Sequence, residues 1–99
     1  MKLYEIAHSR AGDKGNVSTI SVIVFDPEDY DFVKQRITES RVLRQFAVVG
    51  ATNVDRYELP QIGALNFVIA NSLGGGVTRS LALDTHGKSL SSLMLEMEL

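Results

Sequence analysis

Residues 7–20, AHSRAGDKGNVSTI, decide how the chain is read, because their middle and their end ask for different structures. The end runs into VSTISVIVF (17–25), rich in β-branched residues and apolar on both faces towards its close, as a strand in the middle of a sheet requires. Upstream, KLYEIAH (2–8) alternates, with Leu3, Glu5 and Ala7 on one side and Tyr4, Ile6 and His8 on the other, which predicts a short strand. Between the two lies a polar, glycine-bearing run longer than the roughly two to five residues of a plain hairpin loop. The spacing therefore predicts a loop with His8 at its entrance. Such a loop is either a binding site or a turn that happens to be polar.

The expected loop gathers His8, Ser9, Arg10, Asp13, Lys14 and Asn16 with Gly12 and Gly15. Both glycines permit positive φ angles that aim successive amides at one spot, where Arg10 and Lys14 could hold a carboxylate or phosphate. The same residues also make a structured turn without any ligand, Asp13 and Asn16 bonding neighbouring amides and Lys14 solvated. His8 suits a general base oriented by Asp13 or Glu58, and suits equally a hydrogen-bonded residue at a strand end.

Downstream, DPEDYDFVKQRI (26–37) opens with Asp26 as a cap and Pro27 at the first helical position, and acidic residues follow where the helix dipole favours them. Phe32, Val33, Arg36 and Ile37 share one face, the Arg36 stem covering its apolar edge. Ser40 is expected to cap a second helix, RVLRQFA (41–47), with Val42, Leu43 and Phe46 inward and Gly50 ending it. NVDRYEL (53–59) reads as a strand stopped by Pro60. GALNFVIAN (63–71) reads as another, with Leu65, Phe67 and Ile69 on one face. On that strand Asn66 and Asn71 either bond the loops or face solvent.

SLGGG (72–76) breaks the pattern, VTRSLALD (77–84) alternates again and DTHG (84–87) signals a turn. In KSLSSLMLEMEL (88–99), Leu90, Leu93, Met94 and Met97 form a helical stripe, while Leu93, Leu95, Met97 and Leu99 also alternate as a terminal strand would. The helix is the favoured reading. Together the segments predict a single α+β domain, a mainly antiparallel sheet with helices on one face.

Composition narrows function mostly by exclusion. In 99 residues, 44% hydrophobic and 22% charged with a net charge of -2, there is one core and no basic field for nucleic acid. Cysteine is absent, which excludes disulfides, thiolate metal sites and a cysteine nucleophile and suits a reducing compartment. No secretory pattern begins the sequence and no apolar run nears the roughly 20 residues of a membrane span, so a cytoplasmic protein is expected. Neither GDKGNVS nor THGKS meets the phosphate-loop pattern, and no serine has the context of an esterase nucleophile. His8 and His86 lie in no metal-ligand spacing, so no metal or other cofactor is expected.

Three blocks, AHSRAGDKGN, RYELPQIGALNFV, and NSLGGGVTRSLALDTHGKSL with the closing LEMEL, together resemble the small C-terminal domain of acyclic terpene utilisation (AtuA-like) proteins. That domain also occurs as a separate short chain. The ordered blocks span residues 5–99, with 26–53 matching in helical pattern alone. The resemblance implies a ferredoxin-like α+β domain serving the bacterial breakdown of branched, terpene-derived acids and related CoA thioesters. It implies a larger partner chain bearing the N-terminal domain. The matching polar positions make up a candidate site: His8, Ser9, Arg10, Asp13, Lys14, Asn16, Asn66, Gly74, Gly75 and Gly76.

Two functions are weighed on that basis. One is an accessory subunit or binding module, silent alone, whose polar loops complete a carboxylate or CoA-thioester site at an interface. The other is a small homo-oligomeric lyase or hydratase with His8 as base and Arg10 or Lys14 as substrate clamp. A structural oligomer without ligand is a third. Unpaired sheet edges make self-association across a two-fold axis an expectation for all of them.

Overall fold

The apolar run after the glycine-bearing stretch forms β2 (Val17–Val24), and every second residue of it, Ser18, Ile20, Val22 and Val24, is buried. This is a computed structural model, and it describes residues 1–70 and 88–99, with only the backbone described for Asp13, Lys14, Lys88 and Ser89. The other apolar run forms β4 (Ala64–Ala70), with Leu65, Phe67 and Ile69 buried as its alternation predicts. β2 and β4 pair antiparallel at the centre of a four-stranded sheet ordered β1-β2-β4-β3. β3 (Asn53–Leu59) pairs antiparallel with β4 and so runs parallel to β2, with β4 inserted between them. That split β-α-β arrangement, with the helical segment crossing from β2 to β3, is the ferredoxin-like α+β fold.

Residues 8–14 overturn the loop reading. They belong to β1 (Ala7–Lys14), paired with β2 from Ala7 opposite Val24 to Lys14 opposite Val17. Only Gly15 and Asn16 remain outside the ladder, Gly15 at φ 64°, the left-handed conformation that favoured two-residue hairpins place first. Gly12 has no positive φ, and a Cβ there would meet Thr19 Oγ1 at 3.5 Å, an ordinary contact. The expected cradle of amides between two glycines therefore does not form. A ladder joins backbone groups, and side chains on an uncovered face are free to be polar. The strand expected at 2–8 shifts accordingly: Leu3–Glu5 is a 3-10 turn that buries Leu3, and β1 begins only at Ala7.

The helices follow the sequence more closely. Asp26 accepts from the Glu28 amide at 3.0 Å, Pro27 opens a 3-10 turn, and α1 (Tyr30–Arg36) continues from it. Val33 and Ile37 face the core, and the Arg36 guanidinium lies 4.8 Å from the centre of the Phe32 ring it covers. α2 (Glu39–Phe46) starts earlier than expected because Thr38, not Ser40, is its cap: Thr38 Oγ1 accepts from the Arg41 amide at 3.3 Å. Val42 and Phe46 are fully buried and Leu43 partly. Gly50, at φ 93°, ends the 3-10 turn Ala47–Val49 that extends α2.

The last segment divides between its two readings. α3 (Lys88–Leu95) buries Leu90 and Met94. Beyond it the chain straightens, and Glu98 forms an antiparallel bridge with Lys2. The Leu3 amide donates to the Met97 carbonyl at 2.9 Å and the Leu99 amide to the Met1 carbonyl at 2.8 Å. Helices and sheet share one cluster, in which Phe46, Phe67, Ile20, Leu65 and Met94 are fully buried. The readings at 71–87, Asn71 and the glycine triplet included, lie outside the described residues.

Candidate functional site

Register decides which of the candidate side chains meet. In antiparallel pairs, residues directly opposite share a face, so the ladder can be followed across the sheet in rows. One row runs Arg10, Ser21, Asn66, Tyr57, one residue from each strand. The row beside it runs His8, Ile23, Ala64, Leu59. Both lie on the face turned away from the helices, where His8, Arg10 and Tyr57 are exposed. His8 and Arg10 of β1 thus share one open surface with a third candidate far from them in sequence, Asn66.

Each is held differently. Asn66 Oδ1 accepts from the Ser21 hydroxyl at 3.1 Å, so its partner is a neighbouring strand and not a loop. That bond uses the amide carbonyl and leaves the Asn66 NH2 facing the same surface. Arg10 makes no hydrogen bond or ion pair among the described residues. His8 stacks on Phe25, ring centres 5.5 Å apart and planes 16° from parallel. Around them the face carries exposed apolar side chains, Phe25 at 63%, Tyr57 at 54% and Leu59 at 39%.

The remaining candidates are elsewhere. Ser9 is on the helix side of β1, and its hydroxyl is buried with no hydrogen-bond partner among the described residues. The sheet separates it from His8 and Arg10. Asn16 is exposed in the hairpin turn. Asp13 and Lys14 end β1, and their side chains, like Gly74, Gly75 and Gly76, lie outside the described part. Glu58 does not orient His8: its carboxylate is 3.3 Å from the Arg56 guanidinium on β3. No group of three metal-ligating side chains occurs among the described residues. No helix there is long and apolar enough to cross a membrane.

Sequence reasoning missed Ser21, Phe25 and Tyr57 on this face. The alternation of NVDRYEL already sets Asn53, Asp55, Tyr57 and Leu59 on one side of β3. What it does not supply is register, and register alone brings Tyr57 into line with Arg10.

The architecture defines a ferredoxin-like α+β domain that covers one side of its sheet with helices and leaves a polar row with apolar flanks on the other. The chain belongs to the AtuA ferredoxin-like domain family, which it matches over residues 1–99. No curated protein and no solved structure matches it.

Proposed function

We propose that the chain is an accessory binding module of an AtuA-like system for branched or terpene-derived organic acids and CoA thioesters, and that the open sheet face is its working surface. Family membership supports the setting. The observation that carries the reading is the row Arg10, Ser21, Asn66, Tyr57, in which a guanidinium with no partner among the described residues shares a partly apolar surface with a fixed amide and a phenol. A guanidinium and an amide N–H two strands apart on one face are suited to holding a carboxylate between them, and apolar flanks suit a branched carbon skeleton. The larger partner chain, carrying the AtuA-like N-terminal domain, supplies the rest of the reaction. The surface is open and shallow, so affinity for a small acid in the isolated chain is weak, about millimolar.

Two measurements test this. In NMR titration with isovalerate, the Arg10 Nε–H and Asn66 side-chain amide signals are expected to shift saturably, and Arg10→Ala to abolish the shift. No saturable shift overturns the carboxylate site. Affinity capture of the tagged chain from its own source is expected to recover a stoichiometric chain with the AtuA-like large domain, and recovery of the chain alone overturns the accessory role.

A further inference from the structure

We infer that the open sheet face closes on a second copy of this chain, and that Asp55 of that copy supplies the carboxylate for Arg10. The inference rests on the reading of this face as the working surface and adds its occupant. Its basis is the distribution of charge over the face. Arg10 and His8 are on β1, one edge of the four described strands, whereas Asp55 and Tyr57 are on β3, the other edge. Asp55 is on the open side, where Asn53 Nδ2 donates to its carboxylate at 3.2 Å.

Two sheets packed face to face align their strands to within about 30° at a separation of about 10 Å. A two-fold axis parallel to the strands then lays β1 of one copy over β3 of the other and keeps the rows in step. Arg10 faces Tyr57 of the second copy, with the second copy's Asp55 one ladder step along. Ser21 faces Asn66. Cation meets phenol and acid, and polar meets polar. An axis perpendicular to the strands in the same plane instead lays β1 over β1 and brings the two Arg10 guanidinium groups together, which charge disfavours.

Size sets the strength. Four strands in a ladder of seven residues make a face of roughly 19 by 24 Å at the usual spacings. Closing two such faces buries on the order of 900 Å² in total, at the low end for a specific interface. The dimer is therefore concentration-dependent. Edge-to-edge association through β3 is opposed, because Glu39 accepts from the Arg56 amide at 2.8 Å and occupies that part of the strand's edge.

Sedimentation equilibrium between about 10 µM and 1 mM tests this on the full chain. The native sequence is expected to show a monomer–dimer equilibrium. Arg10→Asp and Asp55→Arg should each weaken association at least tenfold, and the double exchange should restore it to within about threefold. Both positions are exposed, and circular dichroism checks that each variant is folded. A monomer at every concentration, single variants that associate normally, or a double exchange that stays monomeric each overturns the inference. Isovalerate, competing for Arg10, should shift the native sequence towards monomer. A monomeric chain that still shows the saturable Arg10 shift loses the dimer and keeps the carboxylate site, and a charge-exchangeable dimer without that shift does the reverse.

Discussion

The same four strands make two surfaces of opposite character. Towards the helices, β2 and β4 present Ile20, Val22, Leu65, Phe67 and Ile69, all at most 1% exposed, against Val42, Phe46 and Met94. Away from them the alternate residues Arg10, Ser21, Asn66 and Tyr57 meet solvent or one another. One residue of offset separates a position committed to stability from one available for binding. Substitutions on the two sides should therefore differ in kind as well as in size.

The largest expected contrast is between Phe46→Ala and Tyr57→Ala. Phe46 is fully buried, so its truncation should lower unfolding free energy by about 3–5 kcal/mol in urea denaturation, whereas exposed Tyr57 should change it by less than about 1. Equal losses would break the division between the faces. Next comes Arg56, a β3 residue on the helix side whose guanidinium donates to the carbonyls of Lys34 at 2.6 Å and Ile37 at 2.9 Å. These carbonyls lie where α1 ends, so β3 satisfies the helix terminus. Arg56→Ala should remove roughly 2–3 kcal/mol, and Arg56→Lys should recover only part of it, since Nη1 makes both carbonyl bonds while Nη2 reaches Glu58 at 3.3 Å, a spread one ammonium does not cover.

A smaller effect sharpens the boundary of α2. Thr38→Ala should lose about 1 kcal/mol by removing the cap, and Ser40→Ala only a few tenths. Smallest of all is the pH response of Glu98. The N-terminal ammonium, 3.3 Å away, holds its carboxyl below the usual carboxylate range, with Lys2 adding to the effect. A depressed folded-state pKa means stability that is present above the unfolded value and fades as pH falls through the folded one. Glu98→Gln should flatten that acid limb slightly, and an NMR titration should find the Glu98 midpoint below the usual carboxylate range.

How much of this was legible in the sequence depends on what each residue signals locally. Alternation placed Leu65, Phe67 and Ile69 on one face because burial leaves its mark on residue type. Asp26 and Pro27 announced α1 for an equally local reason. β1 was illegible because among its described side chains only Ala7 is fully buried, so His8, Ser9, Arg10 and Gly12 read as loop. The row across the sheet was hidden more deeply. It exists only through three pairings, and no residue in it specifies which partner it will face. The partial recovery of the site, His8 with Arg10 and Asn66 but without Ser9, follows from that.

The bridge between Lys2 and Glu98 joins positions almost a full chain length apart, with Leu3 bonded to Met97 and Leu99 to Met1. A polypeptide entering at residue 1 and leaving at residue 99 does so at a single doorway. New termini cut between Gly15 and Asn16, with 99 spliced to 1 by a short linker, would therefore yield a circularly permuted chain that keeps every other pairing described for the sheet.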